Sequence, residues 1–229
     1  KGKGGDWDPI DVLMRRSFDN GVTWDEPRVI VDHSEYGEGP ANNFVTISDR
    51  ETGEVHILNC FEYQRFFCRK SIDNCETFTE PVEITEAMKK FRKQYDWRVG
   101  AFGPGHGIQL SNGRLIVPTW LSLGTGTEFG KGKLGHRPNR ITSFYSDDHG
   151  ATWECGDMIP EKFPNMNETE AVELENGKVL FNSRAMDDGR EHPAEDWRRV
   201  ITVSDDGAHN WSTPRQDPVL IEPVCFGSI

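Results

Sequence analysis

The chain has five cysteines, an odd number, and no CxxC pair, so neither a disulfide framework nor a zinc site is signalled. Cys60 and Cys68 fall on stretches that read as neighbouring strands, and both read as free thiols. No apolar run reaches about 18 residues, so no segment reads as a membrane-spanning helix. Positive charge is scarce. Against 38 acidic side chains stand 26 basic ones, a net charge of −12 over 229 residues, which argues against the basic face that nucleic acid requires. GxxxxGK[ST] is missing, so the Gly- and Lys-rich stretch 124–138 is not a phosphate loop but a surface loop over one face. The first residues, Lys1-Gly2-Lys3-Gly4-Gly5, have neither Met nor a signal-peptide pattern. They leave the compartment open, with a secreted or periplasmic one favoured.

What is present in quantity is repetition. Ser146-Asp147-Asp148-His149-Gly150-Ala151-Thr152-Trp153 has the form Ser-x-Asp-x-Gly-x-Thr-Trp. Ser17 to Trp24 keeps every fixed position. Ser71 to Phe78 has Cys75 in the Gly position, and Ser204 to Trp211 keeps Ser, Asp206 and the Trp. The copies start 54, 75 and 58 residues apart, a spacing typical of repeat architectures. The octapeptide reads as a hairpin turn. Its Asp accepts backbone N–H groups, its Gly supplies a left-handed backbone angle, and its aromatic pins the turn to the sheet.

A strand precedes each copy, around residues 11–16, 65–70, 140–145 and 199–203. Another follows, around 28–31, 82–84, 158–159 and 219–221. Upstream of three copies lies a hairpin with a polar-Gly turn, at Thr52-Gly53, Asn112-Gly113 and Asn176-Gly177. Each unit is thus four antiparallel strands, and such units in series read as blades of a β-propeller. The fold class is all-β, a single incomplete propeller domain over 1–229. It divides into a half blade at 1–31, blades at 43–84, 105–160 and 168–221, and the start of another at 222–229. Residues 85–95 read as a short helix behind a Thr85 cap.

Strand order also separates two faces. The turns joining strands 1–2 and 3–4 of each blade share one face, which takes the octapeptides. The 2–3 loops and the inter-blade crossings share the other. That second face receives Asp6, Asp8, Asn42, Asn43, Trp97, Arg98, Gly103 to His106, Asn167, Glu168 and Arg184. Carboxylates, arginines, amides and an aromatic converging on one face mark the candidate site.

These motifs carry a resemblance. Ser-x-Asp-x-Gly-x-Thr-Trp is similar to the Asp-box or BNR repeat, and the chain resembles the exo-α-sialidases, or neuraminidases. Asp6, nine residues before Arg15-Arg16-Ser17, resembles the family's acid/base segment. Gly103-Pro104-Gly105-His106-Gly107-Ile108 resembles the stretch opening the family's third blade. Asn167-Glu168, with Asn182-Ser183-Arg184 downstream, resembles the segment that holds the catalytic Glu and the second of three arginines. The resemblance implies a propeller of six blades when complete. It implies catalytic Asp6 and Glu168, substrate binding by Arg184, Asn43, Trp97, Arg98 and Phe226, and no metal or cofactor. Asp8 or Asp11 would be the acid if the register differs. Phe226 stands where many relatives have Gln. The family's first arginine would lie before Lys1, and its third arginine and tyrosine nucleophile beyond Ile229.

The implied substrate is a sialylated glycan, cleaved with retention. A sialoside carries a carboxylate on its anomeric carbon. A carboxylate nucleophile would repel it, which is why sialidases use Tyr, and arginine offers a permanently charged, bidentate partner. Two other classes fit the same scaffold: a non-catalytic Asp-box propeller binding glycans or proteins, and a glycosidase or lyase for another acidic sugar.

Overall fold

The computed structural model describes residues 5–185 and 197–229. Apart from short helical turns at 33–35 and 85–93, its regular structure is β-strand. β1 (Val12–Met14) and β2 (Arg28–Val31) pair alone. β3 (Ala41–Ser48), β4 (Val55–Phe61), β5 (Arg65–Ser71) and β6 (Val82–Glu83) form an antiparallel meander. β7 (Val99–Phe102), β8 (Gly105–His106) and β9 (Ile108–Gln109) precede β10 (Leu115–Ser122), β11 (Asn139–Ser146) and β12 (Glu154–Cys155). The last sheet has β13 (Met166–Glu173), β14 (Val179–Ala185), β15 (Arg198–Ser204) and β16 (Arg215–Ile221) in simple order.

Successive sheets pack face to face. Val12, Ile30 and Val31 meet Ile57, Phe61 and Phe67 in one core. Val45, Leu58, Phe66, Phe102, Leu115, Phe144, Ala171 and Phe181 share another that runs through the three larger sheets. Central strands covered on both sides lose the alternation of a half-buried strand, and all eight residues of β10 are buried. Uncovered apolar side chains gather on the outer sheets, at Leu13, Val22, Trp24 and Val29 and again at Val219–Ile221.

The octapeptides are turns built from their own side chains. In the third copy Ser146 Oγ donates to Asp148 and accepts from Gly150 N at 2.8 Å. Asp148 accepts from Thr152 N at 2.8 Å and from Thr152 Oγ1 at 2.6 Å. Ser17 to Thr23 and Ser71 to Thr77 repeat the pattern. The Thr hydroxyl and amide hold Asp19 and Asp73 down near a pKa of about 2. The fourth copy closes differently, with Asp206 accepting from Ala208 N and His209 N. Neighbouring turns are clasped together. Arg16 reaches Glu76 at 2.7 Å, His149 reaches Asp49 at 2.7 Å, and Arg114 bridges Asp147 at 2.7 Å and Asp206 at 3.1 Å.

Some local expectations change. The strand after the third octapeptide is Glu154–Cys155, paired to Tyr145 and Phe144. Ile159 adds a single bond to Ile141 O further along. Thr85 does not cap the helix. It is the first helical residue, and its hydroxyl accepts from Phe66 N and donates to Glu83, which ties the helix to β5. Cys225–Ile229 forms no strand, and Arg199 holds it through Cys225 O. Cys60 and Cys68 are free thiols, as read from the sequence.

The inner edge of the third sheet positions the site. β7 and β9 both pair with β10, and between them the chain leaves the sheet. There β8 runs parallel to β3, with Val45 opposite Gly105. Pro118 sits opposite that gap. Its carbonyl accepts from Gly103 N, so its nitrogen, which has no hydrogen to donate, faces the one place where no regular ladder bond is missed. The detour depends on glycine. Gly105 has φ +113°, and a Cβ on Gly107 would stand 2.5 Å from Ile116 O.

Two stability predictions follow from the turns. Cys75 takes the Gly position at φ +60°, a conformation that costs a non-Gly residue about 1–2 kcal/mol. Cys75→Gly should therefore stabilise the chain by about 1 kcal/mol, read from a denaturant midpoint. Trp153 is buried and stacks on Phe144 at 5.3 Å, whereas Trp24 is largely exposed. Trp153→Ala should cost about 3–5 kcal/mol and Trp24→Ala under about 1 kcal/mol. Equal losses would show that burial does not govern the aromatic position.

Candidate active site

A cavity of about 530 Å³ opens where β3, β11 and β13 begin. Asn42 and Asn43 enter from the first residues of β3, Asn139 from the first of β11, and Asn167 and Glu168 from the start of β13. Arg184 comes from the end of the antiparallel β14. Pro104 comes from the detour, and Asp6 from the segment before β1. The octapeptides lie at the other ends of these strands. Ser122 pairs with Asn139 at the cavity end of the third sheet and Leu115 with Ser146 at the turn end. Seven steps separate them, roughly 23 Å.

Glu168 Oε2 accepts from Arg184 Nη1 at 2.6 Å, in a pair that is mostly buried. Asp6 is more exposed, and the His136 ring stands beside it, with Nδ1 at 4.0 Å. Asn43 has φ +47° and reaches back to Phe102 O. Asp11 also borders the cavity, but the backbone N–H of His33 and then its ring hold that carboxylate below its ordinary range. It is already committed to a structural contact.

Three residues assigned from sequence do not line the cavity. Trp97 is fully buried in the core. Its ring meets Phe66 edge-on, Arg92 lies over it at 4.8 Å, and its N–H donates to Met88 O. Large aromatic area found its burial against the short helix instead of in the site. Arg98 is exposed on the surface, and its backbone is engaged with Ser122 O and Gln64. Phe226 lies over Gly105, beside the cavity. Asp8 is engaged locally with Gly5 N.

The structure adds an aromatic wall to the site. Tyr63, Trp120, Phe129 and His136 line the cavity, and Trp7 backs them. His136 is the centre, with ring centroids 4.4 Å from Tyr63, 4.5 Å from Phe129 and 5.1 Å from Trp120. Its Nε2 and the indole N–H groups of Trp7 and Trp120 have no hydrogen-bonding partner among the described residues. Tyr63 comes from a 2–3 turn, and Phe129 and His136 come from a 2–3 loop. Strand order places both on the site face. Their aromatic content was the available signal, obscured by the Gly and Lys around it.

Burial pushes His136 down to about pKa 4, with a smaller contribution from Arg137. A wall of uncharged rings beside exposed Asp6, facing the Glu168–Arg184 pair, can hold the apolar side of a polar ligand. It leaves an exposed carboxyl on one side and a carboxylate paired with a cation on the other.

Sheets that repeat this turn-and-strand pattern form a β-propeller. The chain belongs to the BNR repeat-like domain family, whose profile matches residues 3–221. Among curated relatives it is 28% identical to a sialidase of Micromonospora viridifaciens over 96% of this chain, and 34% identical to sialidase-4 of Mus musculus over 81%. It spans about a third of their length, 34% and 37%. In fold it is similar to the Hadza microbial sialidase Hz136, with a TM-score of 0.72 and 21% identity over 94% of this chain and 42% of that one.

The neutral state of His136 predicts a pH dependence. Its folded pKa lies below the ordinary value of 6.5, so the unfolded chain takes up a proton first as pH falls. Stability should drop between about pH 6.5 and 4, by on the order of 3 kcal/mol if the full shift is expressed. His136→Phe should flatten that slope in melting curves taken across the range. An unchanged slope would place the proton uptake elsewhere.

Proposed function

We propose that this chain supplies the acid/base side of a retaining exo-sialidase site acting on sialylated glycans, within one incomplete propeller. The observation that carries the reading is convergence. Asp6 lies far in sequence from the hairpin that carries Glu168 and Arg184, yet all three border one cavity, and the curated relatives are sialidases.

In this reading Asp6 gives its proton to the glycosidic oxygen as that oxygen leaves the anomeric carbon. A tyrosine hydroxyl attacks the same carbon while Glu168 takes the phenol proton. Water then replaces the tyrosine. Asp6 receives one proton of that water, and Glu168 returns the proton it took to the phenol oxygen as its bond to the anomeric carbon breaks. Arg184 holds the substrate carboxylate, sharing its guanidinium with Glu168. The reaction needs no metal.

The tyrosine lies outside these 229 residues. Of the four tyrosines in the chain, only Tyr63 borders the cavity. Burial raises its pKa, the wrong direction for a nucleophilic phenol. Tyr145 packs on Arg114 at the octapeptide end, and Tyr95 donates to Pro138 O.

The test is turnover of a fluorogenic sialoside by the longer protein that contains this chain. Asp6→Asn and Glu168→Gln should each lower kcat by roughly 10²–10⁴. Arg184→Lys keeps charge but loses the planar fork, and should weaken binding of an unsaturated sialic-acid analogue by about 1–3 kcal/mol. Full activity in Asp6→Asn would remove Asp6 from the acid role. Cleavage of a uronic-acid glycoside and not the sialoside would reassign the substrate.

A further inference from the structure

Glu170 is the most anomalous group in the fold. It is fully buried two residues beyond Glu168 on β13, and neither of its carboxyl oxygens has a well-directed hydrogen bond among the described residues. A buried carboxylate left in that state would be severely penalised. Its close polar neighbour is His106 on β8, with Nε2 2.7 Å from Oε2 in a bent approach. Gly105 makes room for it, since a Cβ there would stand 2.7 Å from Oε1 and 2.5 Å from the Phe226 ring. Phe226 therefore roofs the carboxyl, and this is the place in the fold that its side chain fills.

The charges around Glu170 can be followed element by element. On β8, His106 Nδ1 lies 3.2 Å from Gly107 O. A carbonyl only accepts, so Nδ1 carries hydrogen, and an uncharged ring then presents a lone pair at Nε2. With that ring uncharged, the proton between the two groups is the one Glu170 carries. On β15, Arg199 is the nearest cation, but Glu222 at 3.1 Å and both oxygens of Asn182 already engage it. On β13, Glu168 is paired with Arg184. No free cation among these groups faces the Glu170 carboxyl.

We propose that Glu170 is a positioning residue, kept as a neutral carboxylic acid that shares its proton with His106. In that form it clamps the Gly103–Gly107 detour against β13 and so sets Pro104 and Glu168 in the cavity wall. This deepens the sialidase reading where it concerns Glu168, while the proton-holding clamp can be tested without it. Thr169 N already bonds to Gly103 O across the same seam at 3.3 Å. Ionising Glu170 puts a negative charge into that seam, between the detour and the strand that carries Glu168. Burial shifts its titration up to about 8, partly offset by Arg199. The cost to the folded state therefore grows as pH rises from about 4.5, where the unfolded chain gives up its proton, to about 8, and is constant above.

The experiment compares the longer protein that contains this chain with its Glu170→Gln variant, which keeps the shape and cannot ionise. Infrared difference spectra at pH 6 should contain a protonated-carboxyl carbonyl band that is missing in the variant. The melting temperature of Glu170→Gln should exceed that of the parent by a gap that widens from pH 5 to 8 and then levels. At pH 9, amide exchange across residues 103–107 and at Thr169 should be at least tenfold faster in the parent than in the variant. The ratio should shrink toward one as pH falls to about 4.5. Fluorescence titration with the unsaturated sialic-acid analogue should show parent affinity falling at least fivefold between pH 7 and 9, relative to the variant. A missing carbonyl band, a gap that does not change with pH, or equal exchange at pH 9 would overturn the proposal. If the band, gap and exchange appear but no analogue binds, the clamp stands and the sialidase reading falls.

Discussion

An antiparallel strand that begins at a cavity must end a strand length away from it, and most of this molecule follows from that constraint. Each octapeptide closes the far end of a strand whose near end helps build the site, as β11 does between Asn139 and Ser146. The far end is self-sufficient. Ser, Asp and Thr satisfy one another and the turn's backbone, and arginines and a histidine clasp one turn to the next. With that end fixed, the near end need not supply its own stability. It can carry groups that a stable turn would exclude: exposed Asp6, the Glu168–Arg184 pair, and unpartnered indole N–H groups. Local strain and unsatisfied polar groups gather at functional sites for this reason.

The detour at Gly103–Gly107 is the second dependency. A regular inner strand would have continued from β7 to β9 and left a gap between the second and third sheets. Instead the chain crosses to β3 and returns, and the wall of the cavity is made where it crosses. Three glycines in five residues are required, because backbone, Ile47, Glu170 and Phe226 occupy the space that Cβ atoms would fill. Pro118 fits opposite because its partner strand is away at that point.

How much of this could be read from the sequence depends on how local the cause is. Octapeptide turns and polar-Gly hairpins are decided within eight residues by side chains that bond to their own backbone, and these were legible. The joining of Asp6, Glu168 and Arg184 was legible too, because strand order alone assigns each connection to a face. Trp97 and Arg98 followed the same face rule and still miss the cavity. The rule fixes where a backbone crosses, not which way a side chain turns once an apolar core is within reach. Trp97 had the short helix beside it and buried itself there. The aromatic wall was illegible for the opposite reason. Tyr63, Phe129 and His136 have no local pattern, and they meet only after the β10–β11 loop folds back over the second sheet.

Charge accounting inside the cavity bears on its ligand. Asp6, Asp11, Glu128 and Glu168 line it with Arg137 and Arg184, so by formal charge the wall is acidic, as the whole chain is. Most of those carboxylates are already engaged. Asp11 is held by His33, Glu128 by the His136 backbone, and Glu168 by Arg184. Asp6 has the His136 ring as its near neighbour, and that ring stays uncharged above about pH 4. The aromatic wall thus acts beyond shape: it keeps the His136 ring dry and uncharged, so the group beside Asp6 adds no positive charge to the cavity.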